Sequence, residues 1–173
     1  MKLPITEGMA NWIVRKAKEA PYEHLGNYMK RWWFIVTPWF KARVHEILRS
    51  DREFHLHSHP WSFISIILKG GYWELTPVYI KRADGWEYYQ KAPTRRSEKV
   101  VLQEKGEKEI FWKTWYGPGS VLYRKAGTFH KVILPEGEIT TTLFFTGKQK
   151  IDWGFLRDGA FVFWREYLND WRV

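Results

Sequence analysis

Apolar residues recur along this chain with two periods, and the change between them comes early. Thr6 stands as an N-cap before Glu7, and Met9, Trp12, Ile13 and Lys16 then fall near one face of a helix that Pro21 stops. Beyond it the texture is that of a β protein. Residues 28–36 are aromatic and apolar and close at Thr37-Pro38, and 42–48 alternate loosely. Strands are predicted over 53–58 and 61–68; Gly70-Gly71 interrupts, and 72–79 resumes, with Pro77 marking an edge or bulge. Asp84-Gly85 predicts a hairpin turn between Tyr79-Ile80 and 86–89, and Lys105-Gly106 another between 100–103 and 109–115, with a polar loop over 91–99 between them. Gly117-Pro118-Gly119 is a turn; 120–124, 130–134 and 139–146 read as strands, the last two separated by Pro135-Glu136-Gly137-Glu138. The aromatic stretch 161–167 fits a helix or an edge strand equally well. Many short strands with frequent glycine turns and one N-terminal helix predict an all-β sandwich or barrel.

Within this pattern one stretch carries chemistry. His55, His57 and His59 stand at every second position and run into the apolar segment 61–68. A strand projects alternate side chains onto one face, so Trp61, Phe63, Ser65 and Ile67 are expected to face inward with His57 and His59. Imidazole is the commonest side-chain metal ligand.

Composition narrows the picture. The 173 residues suit one domain, taken as 1–173 with its core over about 42–155, and 18% aromatic content marks a globular chain. There is no cysteine, which excludes disulfides, thiolate metal sites and a cysteine nucleophile, and fits the cytoplasm. No apolar run is long enough for a membrane helix, and the N-terminus lacks a signal-type apolar region, so a soluble, unprocessed chain is expected. The net charge of +9 raises an anionic partner, either nucleic acid or a small molecule. The positive charge is spread along the chain, and nucleic acid is the less favoured of the two.

The histidine stretch resembles the first motif of the cupins, small barrels of the RmlC-like jelly-roll type. That motif reads His-x-His, three or four residues, Glu, six residues, Gly. His57, His59 and Gly70 match it, and Phe63 stands in place of the glutamate. The second motif reads Gly, five residues, Pro-x-Gly, two residues, His, three residues, Asn. Gly119, Gly127 and His130 match; Lys125 and Leu134 replace the proline and the asparagine. The His-x-His-Pro-Trp run, Gly70-Gly71-Tyr72 and the Asp152-Trp153-Gly154-Phe155 ending are similar to those of small cupins, many carried by bacteriophages, a subgroup with no settled activity. The resemblance spans roughly 42–168. It implies a double-stranded β-helix with a short N-terminal helix and a C-terminal aromatic extension, and commonly a homodimer.

The resemblance also implies a metal site of His57, His59 and His130. Three neutral imidazoles suit Fe(II), which is favoured, or Zn(II), Ni(II) or Cu(II). The set is similar to that of the thiol dioxygenases, so a mononuclear iron dioxygenase acting on a small molecule is the leading expectation. The alternatives are a non-catalytic cupin that binds a small anion or nucleotide, and a metal-independent sugar-nucleotide epimerase or isomerase. The latter needs a histidine base held by a carboxylate, which the sequence does not assign. Tyr72 and Glu74 share a parity and are the acid–base candidates. His55 (at the rim or behind a ligand), Trp61, Ser65 and Arg124 are pocket candidates, with Arg124 or Lys125 placed to meet an anionic substrate. His24 and His45 read as structural or surface residues.

Overall fold

Strand alternation resolves into two main sheets packed face to face, as a computed structural model of residues 2–81, 87–104 and 106–170 describes them. In chain order the elements are α1 (Glu7–Ala17), β1 (Tyr22–Leu25), β2 (Met29–Val36), β3 (Lys41–Ile47), β4 (Leu56–His57), β5 (Trp61–Lys69), β6 (Tyr72–Pro77), β7 (Tyr79–Lys81), β8 (Glu87–Tyr89), β9 (Glu98–Glu104), β10 (Glu107–Tyr116), β11 (Val121–Arg124), β12 (Lys131–Ile133), β13 (Thr140–Gln149), β14 (Gly154–Arg157), β15 (Ala160–Phe163) and α2 (Trp164–Asp170). One sheet has the order β1-β2-β3-β13-β5-β11, the other β12-β6-β10-β9, and a small third sheet runs β15-β14-β4. All pairings are antiparallel. The expected all-β jelly roll is the observed fold.

The sheets close over a core of Ile47, Ile67, Tyr72, Leu122, Val132 and Leu134. A second cluster, Leu56, Leu75, Phe111 and Leu156, fills the other side of the four-stranded sheet. Ile67 continues the inward parity of β5, as alternation from His57 predicts. Gly70, in the left-handed region at φ 67°, turns β5 into β6 where a Cβ would stand 2.5 Å from the Ile139 carbonyl oxygen, so only glycine fits.

Several expectations need correction. α1 has its Thr6 cap, whose hydroxyl accepts from the Met9 N–H at 3.2 Å, but it does not bury Met9 and Trp12. Both are half exposed, and Ala10, Ile13, Val14 and Ala17 face the sheet instead, the last three packing with Trp32 and Val44. Small residues let the helix lie close on β2 and β3. The edge expected at Pro77 is present on one side, where β12 no longer runs beside β6, while β10 still pairs it through Phe111. The predicted strand over 53–58 shortens to Leu56–His57. The ambiguous stretch 161–167 divides between β15 and α2. The Asp84-Gly85 turn and Lys105 lie outside the described residues, although β7 pairs with β8 and β9 with β10 as those turns require. Among the described residues no helix is long and apolar enough to cross a membrane.

Candidate metal centre

His57 and His130 are brought together by the backbone. Each donates its N–H to the other's carbonyl at 2.9 Å, an isolated antiparallel bridge between segments more than seventy residues apart. Directly opposed residues of such a pair project to the same face, so the two imidazoles meet, with ring centroids 4.8 Å apart. Two residues on, the His59 carbonyl accepts from the Gly127 N–H at 3.0 Å. Gly127 has φ 79°, a left-handed conformation that closes the turn feeding His130 back against the first motif. The His59 ring stands edge-on to His57 at 4.9 Å and 5.1 Å from His130.

One ligand nitrogen from each of His57, His59 and His130 lies within 4.8 Å of the other two, so the three could hold a metal ion. Two nitrogens bonded to one ion at about 2.1 Å are at most about 4.2 Å apart. Three donors sharing one tetrahedral or facial ion would stand about 3.0–3.4 Å apart, so binding would draw the three rings inward.

The chemistry of the donors fits a cation. The Glu74 carboxylate is fully buried and sits 3.0 Å from His130 Nδ1. A carboxylate only accepts, so Nδ1 carries the proton and Nε2 keeps its lone pair. That Nε2 is buried and has no hydrogen-bond partner. Burial draws His57 down to about 4, against the opposing pull of Asp51 and with help from His130 and Lys131. Burial and then the neighbouring His57 push His59 well below the usual imidazole range. Both rings are therefore neutral at pH 7, the form that coordinates metal. Asp51 lies 3.6 Å from His57 Nδ1, held in place by the Tyr28 hydroxyl at 2.6 Å and the Val132 N–H at 2.7 Å.

Phe63, at the position where the cupin motif carries glutamate, covers the triad. Its ring is 5.2 Å from His59 and 5.4 Å from His130. The site thus has three imidazole donors, and an apolar ring where a carboxylate would otherwise stand.

The triad opens onto a cavity of about 670 Å³, which Trp61, Ser65 and Tyr72 also line. Burial raises the Tyr72 phenol far above its ordinary value, with the nearby Ser65 hydroxyl opposing it. Glu74 lies behind His130 and holds it, in an ion pair with Arg124. Arg124, expected to meet a substrate, is spent on Glu74 and is absent from the cavity wall; Lys125 faces solvent. His24 is exposed, as a surface residue should be.

His55 is placed elsewhere too. The chain bends through 53–55 before β4 begins, so alternation does not carry back to it. His55 is buried with Nδ1 3.0 Å from the Tyr167 hydroxyl and Nε2 2.8 Å from Glu107, tying the barrel to α2. Its other acidic neighbour, Glu109 at 3.8 Å, is raised to about 7, chiefly by burial, with Asp158 and Glu107 adding repulsion. A carboxyl raised in the folded state contributes stability below its unfolded value that is lost as pH rises through 7. Glu109→Gln is therefore expected to raise the melting temperature at pH 8 by roughly 2–6 °C, on the order of 1–2 kcal/mol, and to change little at pH 4.5. Thermal melts at the two pH values check this.

Sequence reasoning named Glu74 as an acid–base candidate but not its pairing with His130, and it missed Asp51, Arg43 and the cavity role of His45. Glu74 is the carboxylate that holds a histidine, paired across 56 residues. Asp51 belongs to a turn. Arg43 and His45 line the cavity from β3. The one signal for the last two was their shared parity with Ile47.

No family model matches this sequence, and no curated protein is similar to it. Solved structures are similar in fold. DMSP lyase DddQ from Ruegeria pomeroyi is 13% identical, over 85% of this chain and 66% of that one, with a TM-score of 0.50. KdgF from a Halomonas species is 15% identical over 76% of this chain and 92% of that one, TM-score 0.45, and an RmlC-like cupin from Shewanella frigidimarina is 13% identical over 76% and 86%, TM-score 0.43. At these identities the likeness concerns the fold alone.

Proposed function

We propose that this chain, a cupin by fold, binds one divalent transition metal ion through His57, His59 and His130 and acts as a mononuclear non-haem iron dioxygenase on a small molecule held in the cavity. The observation that carries the metal reading is the His130 Nε2 lone pair, buried without a partner among two neutral imidazoles and oriented by Glu74. Three protein donors leave open positions, and a bound ion would supply Lewis-acid polarisation and a place for substrate and O2 to meet. Iron is favoured through the resemblance of the three-histidine set to that of the thiol dioxygenases; the donors themselves suit Fe(II), Zn(II), Ni(II) or Cu(II) alike. The chain's own residues then have defined tasks. Glu74 fixes the proton of His130 on Nδ1. Phe63 and Trp61 exclude water around His59. Tyr72, kept protonated by burial, stands at the cavity as a neutral hydrogen-bonding group toward substrate.

Elemental analysis of protein purified without added metal should find close to one transition metal ion per chain. After anaerobic loading with Fe(II), nitric oxide should give the high-spin iron–nitrosyl resonance that requires a vacant position. Protein that takes up no metal on reconstitution would overturn the reading, and uptake without a nitrosyl signal would leave a metal site but remove the oxygenase.

A second reading has its own observation. His130 held by Glu74 at 3.0 Å, with Tyr72 on the same cavity, is the base–carboxylate pair that a metal-independent epimerase or isomerase needs. Absence of metal together with exchange of a substrate C–H proton in deuterated water would favour it.

A further inference from the structure

The wall formed by β3 and β13 carries polar atoms that have no partner among the described residues. Arg43 and His45 on β3 stand opposite Phe144 and Thr142 on β13, and all four line the cavity. Directly opposed residues of an antiparallel pair share a face, so the four side chains form one surface. Arg43 is 4% exposed and His45 5% exposed, yet Arg43 Nε, His45 Nε2 and Thr142 Oγ1 all lack hydrogen-bond partners. Buried polar atoms are normally paired, and a group of three on one cavity wall points to a ligand that pairs them.

The charge on this wall is uncompensated. Arg43 spends one Nη2 hydrogen bond on the Thr146 hydroxyl at 2.9 Å, and its guanidinium lies over the rings of Trp33 at 4.8 Å and Phe144 at 5.6 Å. The acidic residue that bears on it, Glu23, is committed to Arg31 at 2.6 Å. Burial draws Arg43 down to about 10, and it remains a cation at pH 7. A buried cation without a carboxylate is costly for the fold, and such local violations concentrate at functional sites.

The wall and the metal centre face one cavity. Phe144 packs on His45 at 4.8 Å and on Phe63 at 4.9 Å, and Phe63 packs on His59. An aromatic floor therefore separates the histidine triad from the Arg43 wall.

We propose that Arg43, His45 and Thr142 form an oxyanion-binding subsite, so that the substrate of this cavity is a small molecule carrying a carboxylate or phosphate-type group at one end and an apolar body over Phe144. The inference rests on the functional reading above only in assigning its substrate class; binding itself needs no metal. The guanidinium supplies charge and fixed donors, which suit a planar or tetrahedral oxyanion. His45 supplies a neutral imidazole, its charged form suppressed by burial and then by Arg43 and Arg31.

The test uses metal-free full-length protein and three probes of one size: benzoate, phenylphosphonate and neutral benzyl alcohol. At least one anion should raise the melting temperature and bind saturably by calorimetry, and benzyl alcohol should do neither. Benzoate alone would identify a carboxylate substrate, phenylphosphonate alone a phosphate-type one. Arg43→Met should weaken the bound anion at least tenfold while its own melting temperature stays level or rises. If that variant does not fold, His45→Leu and Thr142→Val keep the cation, and each should weaken binding several-fold. Because the protein is metal-free, anion binding here reports on this subsite and not on the metal site. Anions that behave like benzyl alcohol, or undiminished binding by the folded wall variants, would overturn the proposal.

Discussion

Replacing His130 by alanine is expected to take metal content from near one ion per chain to below a tenth, with the protein still folded. His130 offers the lone pair whose orientation is set most firmly, and its removal leaves two donors, too few for a tight site. Glu74→Gln keeps the shape of the carboxylate's support but removes its charge, and should weaken metal affinity by about 10–100-fold. Phe63→Glu tests the same geometry in the opposite sense. A carboxylate placed where the Phe63 ring packs against both His59 and His130 should tighten metal binding. Without metal it should lower the melting temperature, because a buried carboxylate would have no cation to pair with. Metal titration monitored by melting temperature and by elemental analysis reads all three variants. A His130→Ala protein that holds a full complement would show the ligands to be elsewhere.

Loss of Arg124 is expected to cost more stability than loss of any other single charge in the site. Its guanidinium grips both oxygens of Glu74, which is 1% exposed, and its other contacts are the Tyr123 carbonyl and the Tyr116 hydroxyl. Arg124→Ala leaves the buried carboxylate with His130 as its partner, a penalty of about 3 kcal/mol by comparison with other broken buried pairs. For a chain of this length that corresponds to roughly 6–12 °C in melting temperature. Glu74→Met/Arg124→Met removes both charges and should recover most of the loss, since an apolar pair of similar volume replaces the ion pair. The pH dependence has a defined sign. Burial acts to raise the Glu74 carboxyl, but His130 and Arg124 together hold it below its ordinary 4.5. The pair therefore contributes stability above pH 4.5 that is lost as pH falls through the folded-state value. The deficit of Arg124→Ala should shrink in acid, where Glu74 takes up a proton. A deficit that is independent of pH would point to lost packing rather than an unpaired charge.

Much of the barrel was legible because alternation is a local property. The inward run of Phe63, Ser65 and Ile67 follows from the two-residue period within β5 and needs no knowledge of the partners, whereas His57 ends β4 and His59 lies in the break at 58–60. The two histidine motifs were legible for a different reason, since their glycines sit where the chain must take a left-handed turn and their histidines keep a fixed offset from those turns. Alternation failed at His55 because a period holds only while the strand lasts, and the chain bends before Leu56. It failed differently on β3. Val44 and its neighbours alternate with Arg43 and His45, and alternation identifies two faces without saying which one meets the barrel interior. The apolar face reads as the inner one. In the folded chain α1 covers Val44 from outside, together with Trp32 and Ala17, and the polar face turns toward the cavity.

From its residues alone, then, the chain specifies an all-β sandwich or barrel with an N-terminal helix, and the pairing of His57 and His59 on one face, because each depends on spacings of a few residues; the jelly roll came with the family resemblance. The meeting of His130 with Glu74, the commitment of Arg124 to that same carboxylate, and the turn of Arg43 and His45 toward the cavity were decided by tertiary structure. Each joins side chains far apart in sequence, and burial, set by what the rest of the fold places over them, gives them their protonation, their pairing and their unmet hydrogen bonds.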